Sequence, residues 1–189
     1  AGVFANTNNL TLNDPASSLK LDGISKVDNV SISAELTSGK LEIAQNATIE
    51  NLAHSGSSRI DIDNSKVLTF SNAFEIPDTK SMELIGSGGR TIDLPDALKL
   101  SGTLKISSTG YTLRNGTLGL SGGLLDVVED ANIESNITLS VNSTLQIDPS
   151  KSMTYGGTAV DIGTSKLNVQ GGGSLINSNS SALSLNNAD

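Results

Sequence analysis

The sequence lacks cysteine and tryptophan, and aromatic residues make up only 3% of its 189 residues. Without cysteine, the chain has neither a disulfide framework nor a thiolate redox or zinc site. With so few rings, a large globular core built on aromatic packing is excluded. Hydrophobic residues make up 36% of the chain, which suits a narrow interior of stacked aliphatic side chains.

Basic residues and long apolar runs are also scarce. Twelve Lys and Arg stand against 20 Asp and Glu, which gives a formal net charge of −8 and a pI of about 4.5. Nucleic acids and anionic lipids attract clustered Lys and Arg, whereas the basic residues of this chain are scattered. No apolar run approaches the roughly 20 residues of a membrane helix. We therefore expect no nucleic-acid partner and no membrane insertion.

The sequence contains a short pattern, aliphatic–polar–aliphatic, that recurs eight times. Successive triplets start about 19 to 22 residues apart, a period typical of solenoid proteins. Alternate side chains of a strand point to opposite faces, so each triplet predicts a short strand with two aliphatic residues inward and one polar residue outward. The eight triplets form the first row: Leu19-Lys20-Leu21, Leu41-Glu42-Ile43, Ile60-Asp61-Ile62, Met82-Glu83-Leu84, Leu104-Lys105-Ile106, Leu125-Asp126-Val127, Leu145-Gln146-Ile147 and Leu167-Asn168-Val169.

Two further rows follow the same period. The predicted second row contains Val30-Ser31-Ile32, Ile49, Leu68-Thr69-Phe70, Ile92-Asp93-Leu94, Tyr111-Thr112-Leu113, Ile133, Met153-Thr154-Tyr155 and Leu175. The predicted third row contains Phe74-Glu75-Ile76, Leu98-Lys99-Leu100, Leu118-Gly119-Leu120, Ile137-Thr138-Leu139, Val160-Asp161-Ile162 and Leu183-Ser184-Leu185, with Leu10-Thr11-Leu12 as its forerunner. Before Phe74 this row is irregular, and Leu36 and Leu52 are its best candidates.

Three strands per turn predict an all-β fold, a single-stranded right-handed parallel β-helix of about eight coils of 19–22 residues. With strands about 4.8 Å apart, the rod is on the order of 40 Å long. We expect one domain, in which residues 1–18 form a capping segment over the first coil and residues 19–189 form the β-helix. Gly, Ser, Asn and Thr are plentiful enough to form the corners.

The outward residues of the first row include three carboxylates on successive triplets, Glu42, Asp61 and Glu83. If they were neighbours about 5 Å apart, each like-charged pair would cost about 1 kcal/mol in water, so something would have to compensate. One hypothesis is a ligand or cation site, with Ca²⁺ bridged by the three side chains, or the groove of a polysaccharide lyase or glycosidase. The alternative is a solvated acidic stripe with Lys20 and Lys105 at its ends.

Other chemical motifs give little support for catalysis. The only histidine, His54, lies in a Ser/Gly-rich segment and is predicted to be a solvated corner residue, not a member of a catalytic triad. The segment Gly86-Ser87-Gly88-Gly89 lacks the Lys-Ser/Thr that completes a phosphate loop. We expect no catalytic residue and no resident metal.

With these rows identified, the chain resembles the right-handed parallel β-helix of secreted bacterial surface proteins, above all autotransporter passengers and large repetitive adhesins. The resemblance rests on the Leu-x-Leu/Ile triplets, the segments 116–123 and 142–147, the missing cysteine and the acidic pI. It is architectural and carries no residue-level motif, and pectin-lyase-like enzymes share the same architecture.

The resemblance implies a non-enzymatic module, extracellular or on the bacterial cell surface. Such a module would be rigid and would bind a glycan or a protein of a host or neighbouring cell through outward residues and corner loops. Two alternatives remain open: a carbohydrate-active enzyme that uses the acidic row, and a subunit that assembles end to end into a surface filament.

Overall fold

A computed structural model describes residues 2–179 and the backbone of residues 185 and 186. This part of the chain forms 24 strands in three parallel sheets. It contains no helix, and hence none that is long and apolar enough to span a membrane. Successive strands of each sheet come from successive turns of the chain. The fold is therefore a parallel β-solenoid of about eight turns, as the triplets predict.

The three sheets form the three sides of the solenoid. The first sheet has eight strands: β3 (Leu19–Leu21), β5 (Leu41–Ile43), β7 (Ser58–Ile62), β10 (Ser81–Gly86), β13 (Thr103–Ile106), β16 (Leu124–Val127), β19 (Ser143–Ile147) and β22 (Leu167–Gln170). The second sheet has ten: β1 (Gly2–Phe4), β2 (Leu10–Leu12), β4 (Ile24–Ile32), β6 (Ala47–His54), β8 (Val67–Phe70), β11 (Arg90–Asp93), β14 (Tyr111–Arg114), β17 (Ala131–Ile133), β20 (Ser152–Tyr155) and β23 (Ser174–Asn177). The third sheet has six: β9 (Phe74–Ile76), β12 (Leu98–Leu100), β15 (Thr117–Ser121), β18 (Asn136–Val141), β21 (Val160–Asp161) and β24 (Leu185–Asn186).

All eight first-row triplets are strands of the first sheet, but the register between turns varies more than their spacing predicts. The step from a residue to the one stacked on it ranges from 19 residues, between Leu41 and Ile60, to 24, between Ile60 and Leu84. The prediction had stacked Ile60 on Met82, whereas Met82 pairs with Ser58. A shift of two residues leaves inward and outward faces unchanged, so the alternating pattern cannot reveal it.

The same two-residue shift recurs between the last two strands of the first sheet. Leu167 pairs with Ser143, and Val169 pairs with Leu145. Both shifts occur where a serine occupies a buried inward position, since Ser58 and Ser143 are almost fully buried. Strands β7 and β19 therefore each have three inward residues, of which the first is serine. The motif Ser-x-aliphatic-x-aliphatic is the sequence signal that could have revealed the shift.

The second and third rows need correction in the early turns. Val27, not Val30, stacks on Ile49. Leu10–Leu12 pairs with Val30–Ile32 in the second sheet, so it does not begin the separate third sheet. The cause is the length of β4 and β6, nine and eight residues, which lets each cover two sides of the solenoid before the third sheet begins at Phe74.

The other early residues and the capping segment can now be placed. Leu52 lies in β6, as a member of that bent strand, and Leu36 lies in the connection that follows β4; both are buried. Strands β1 and β2 pair with β4, so residues 2–4 and 10–12 continue the second sheet. Their role as a cap, and the division at residue 18, stay predictions. Leu183 and Ser184 of the third row lie outside the described residues.

The core is one continuous column of aliphatic side chains inside the three sheets. It runs from Leu12 to Ile162, with most members less than 5% exposed, and includes the buried rings of Phe70, Phe74, Tyr111 and Tyr155. Each buried Leu, Ile or Val contributes roughly 1.5–3 kcal/mol relative to an exposed one. The three sheets thereby hold their outward residues at a fixed spacing between turns. A functional site can form from these outward residues and from the corners between the sheets.

Candidate functional site

The acidic row of the first sheet is only partly assembled as predicted. Glu42 and Asp61 do stack on successive turns. Glu83, however, pairs with Arg59, because of the two-residue shift, and Ile85 occupies the place beside Asp61. The expected three-carboxylate column is therefore a pair of carboxylates followed by an acid–base pair.

Basic side chains neutralise this row turn by turn. Lys20 Nζ lies 2.8 Å from Glu42 Oε1, and Lys40 Nζ lies 3.3 Å from Glu42 Oε2 and 2.6 Å from Asp61 Oδ2. Arg59 Nε donates to Glu83 Oε2 at 3.2 Å. Lys40 and Arg59 are thus the compensating charges that the stacked carboxylates require.

The protonation equilibria follow these contacts. The hydrogen bond from Lys20, with a second from Lys40, holds the pKa of Glu42 below its usual value. Hydrogen bonding to Asp61, reinforced by Glu42, raises the pKa of Lys40. Further along the sheet, burial raises the pKa of Asp126, whose carboxylate accepts a bond from Gln146 Nε2 at 3.2 Å. The row is a half-buried network of bonds on the outer face of the sheet, each worth at most about 1 kcal/mol.

This geometry bears on the cation and enzyme hypotheses. Within residues 2–179, no group of three or more His, Asp or Glu side chains is arranged to hold a metal ion. Glu42 and Asp61 each contact a lysine, and Glu83 contacts Arg59 and accepts a hydrogen bond from Ser107 Oγ at 2.7 Å. A Ca²⁺ ion or a substrate would have to displace these partners. The ligand, cation and glycosidase readings of Glu42, Asp61 and Glu83 stay hypotheses.

His54 lies inside the solenoid, so its prediction as a solvated corner residue is wrong. It is the last residue of β6, it is 7% exposed, and its Nε2 lies 2.8 Å from Ser58 Oγ. The inward face of the bent strand turns the ring toward the lumen. Burial lowers the pKa of His54 to about 4, and Nδ1 has no hydrogen-bond partner among the described residues. No described carboxylate bonds to the His54 ring and the His–Ser pair is closed to solvent, so the pair does not have the arrangement of a triad.

Arg90 is a charged side chain that is almost fully buried. Its guanidinium lies 4.7 Å from the ring centre of Tyr111 on the next turn, and the Tyr111 hydroxyl donates to the Ile85 carbonyl at 2.6 Å. The Nε and Nη2 atoms of Arg90 have no hydrogen-bond partner within the described part of the chain. Stacking on an aromatic face supplies part of the lost solvation. The group is inaccessible and serves the packing of the turns.

The outer face of the second sheet carries a row that sequence reasoning missed. Thr91, Thr112, Asn132 and Thr154 stack on four successive turns. The predicted second row had aligned Thr112 with Asp93, since each is the middle residue of its triplet. Asp93 instead pairs with Arg114 in a parallel row. Alignment on Ile92, Leu113 and Ile133 would have revealed the true register.

Beside this row lie two adjacent depressions that share Glu134. Asp93 accepts hydrogen bonds from Arg114 Nε at 2.6 Å and Asn115 Nδ2 at 3.0 Å, which fixes one wall. Asn136 Oδ1 accepts bonds from the Thr158 amide at 3.2 Å and hydroxyl at 2.8 Å, which fixes the other. We call this feature the second-sheet groove; its lining residues are Arg114, Asn115, Gly116, Asn132, Glu134, Asn136, Thr154, Gly156, Thr158, Ser178 and Asn179.

Comparison with known proteins yields no relative. No family model matches the chain, and neither a curated protein nor a solved structure matches it. Function must therefore be argued from the fold and from the chemistry of its faces.

Proposed function

We propose that this chain is a rigid, non-enzymatic module of a secreted or cell-surface protein, of the autotransporter or repetitive-adhesin type. In this role the solenoid holds its outward residues and corner loops at fixed spacing, where they bind a glycan or a protein of another cell surface. In keeping with this role, four surface depressions among the described residues are open to solvent and not enclosed.

The main support is the use of charged side chains as bonds between turns. Lys20, Glu42, Lys40 and Asp61 form one chain of ion pairs along the first sheet. Glu129 and Lys151 form another pair 22 residues apart. Side chains that tie one turn to the next stiffen a rod, whereas a catalytic carboxylate must be free to meet its substrate.

Adhesion of coated particles tests this function. Beads that carry the folded chain are expected to bind bacterial or host cells, and beads with the heat-unfolded chain are not. In parallel, acidic polysaccharides with added Ca²⁺ should show no chain cleavage. Cleavage that is lost in Glu42→Gln, Asp61→Asn or Glu83→Gln would overturn the proposal in favour of an enzyme.

Self-association into filaments is a second candidate, favoured by apolar side chains on the end turns. Val3 and Phe4 are 65% and 43% exposed at one end, and Val169 and Ile176 are 49% and 47% exposed near the other. Stacking a second copy end to end would bury them. Sedimentation that shows mass rising with concentration would support a filament subunit, and a constant monomer mass would exclude it.

A further inference from the structure

The second-sheet groove presents hydrogen-bonding groups that have no partner among the described residues. The Glu134 carboxylate is exposed and accepts no hydrogen bond from the described residues. Asn136 Oδ1 accepts hydrogen bonds from Thr158, and the Asn136 Nδ2 donates to none of the described residues. Asn115 Nδ2 donates to Asp93, and the Asn115 Oδ1 accepts no hydrogen bond from the described residues. The groove thus offers a carboxylate, an amide donor and an amide acceptor within two turns.

The charge of the groove restricts the class of ligand. Arg114 is the cation of this wall, and Asp93 binds it. Glu134 therefore leaves the groove with a net negative charge, on a protein whose formal charge is −8. Sulfated or uronic polymers would be repelled at low ionic strength. An uncharged polyol remains favourable, since each hydroxyl both donates and accepts.

The shape of the groove restricts the ligand further. Asn132, Glu134 and Asn136 lie on one turn, and Thr112 and Thr154 lie on the turns on either side in the register of the sheet. The stacked polar side chains Thr112, Asn132 and Thr154 therefore repeat about every 4.8 Å along the axis, beside the single carboxylate of Glu134. A linear polymer that lies along the axis meets a polar side chain at each step, whereas a compact metabolite contacts only one turn.

We propose that the second-sheet groove binds an uncharged glycan chain laid along the solenoid axis, with Glu134 accepting hydrogen bonds from sugar hydroxyls. This inference rests on the proposed adhesive function and names its ligand class. Phe70, Phe74, Tyr111 and Tyr155 are buried in the lumen, so none of them is a stacking platform for a sugar. Affinity per sugar is therefore weak and grows with chain length, because adjacent turns bind adjacent units.

Nitrogen-15 NMR titration of the folded chain tests the proposal. The probes are neutral oligosaccharides of two to eight units (gluco-, manno- and N-acetylglucosamine series) and an oligogalacturonate of matched length. We expect amide shifts at residues 112–115, 132–136 and 154–158, an affinity that rises with length, and no response to the oligogalacturonate. Glu134→Gln should weaken binding about ten-fold, as removal of a charged hydrogen-bond acceptor does.

Glu75→Gln is the matched control, because it makes the same charge change at an ion pair with Lys99 on the third sheet. It should leave glycan affinity unchanged. Three results would each overturn the inference: no amide shifts with any neutral series, equal binding of the oligogalacturonate, and unaltered glycan binding by Glu134→Gln. Bead adhesion that persists in those cases would leave the adhesive module standing with a protein ligand.

Discussion

The early turns, residues 2–72, and the later turns, residues 73–179, close the same apolar lumen in different ways. In the later turns each side has its own short strand, and the third sheet begins at β9. In the early turns β4 and β6 are the longest strands of the described chain and bend around two sides without a break. The difference lies in how the backbone turns the corner between the second and third sides.

A ladder of asparagines holds the bend in the early turns. Asn29 and Asn51 pair in register, and Asn6 and Asn72 continue the stack on either side. Asn51 Nδ2 donates to Asn29 Oδ1 at 3.1 Å, and Asn72 Nδ2 donates to Asn51 Oδ1 at 2.7 Å. The amides supply hydrogen bonds at the bend, so the strand need not end there.

The later turns end the strand instead. After β14, Asn115 and Gly116 take positive φ values of 59° and 40°, and Thr117 then starts β15. At this one corner left-handed residues end the strand, whereas in the early turns side chains bond across a bend and the strand continues.

The largest effect is expected at that corner. A Cβ added at Gly116 would overlap the Pro95 carbonyl oxygen, and φ is already left-handed. Gly116→Ala should lower the free energy of unfolding by about 3 kcal/mol or more. Urea unfolding measures it. Gly119→Ala, inside the following strand β15 and with its nearest neighbour at 3.5 Å, should lose less than about 1 kcal/mol. Equal losses would contradict a strained corner.

The lumen of the early turns should respond to pH through His54. Its folded pKa, about 4, lies below the 6.5 of the unfolded chain, so between these values the unfolded state binds the proton. The contribution of neutral His54 to the free energy of unfolding is therefore fully present above pH 6.5. It is lost as the pH drops toward 4, by about 3 kcal/mol. His54→Leu should abolish the change between pH 6.5 and 5, where no other side chain of this sequence normally titrates. An unchanged slope would show that His54 is solvated.

Removing one amide from the ladder tests the bend. Asn51→Ala deletes its bonds to Asp28, Asn29 and Asn72 and should cost about 1–2 kcal/mol, because these groups are exposed or half-buried. Hydrogen exchange should accelerate in β4 and β6 and not in β15. Asn132→Ala, which removes one long bond of 3.5 Å in the later turns, should cost less than about 0.5 kcal/mol. Uniform acceleration would mean that the two regions are not separable.

The same contrast explains what could be predicted from the sequence. The later turns follow the three-row pattern, because each short strand has its own triplet. The early third row was predicted only in part: Leu52 was named as a candidate, but its partner Val30 was assigned to the second row. Val27 and Val30 both face inward on one long strand, so only the pairing of Val27 with Ile49 reveals the register. Glu83 was misplaced because a two-residue shift preserves alternation. The second-sheet groove depends on register as well, so hydropathy alone could not place it.

The smallest effect concerns the ion pairs that tie the early turns of the first sheet. Lys40 contacts both Glu42 and Asp61, so Lys40→Met removes two pairs and leaves Asp61 stacked on Glu42 without an ion pair to a described residue, while Glu42 keeps its pair with Lys20. We expect a loss of at most about 1 kcal/mol in low salt, which shrinks in 1 M salt, where screening acts within about 3 Å. Lys66→Met is the control, because Lys66 makes no ion pair with a described residue. A loss that is independent of salt would mean that the aliphatic part of Lys40 stabilises the turns by packing. The ion pairs would then contribute nothing to the stacking of the first sheet, which would depend on the apolar side chains of the lumen.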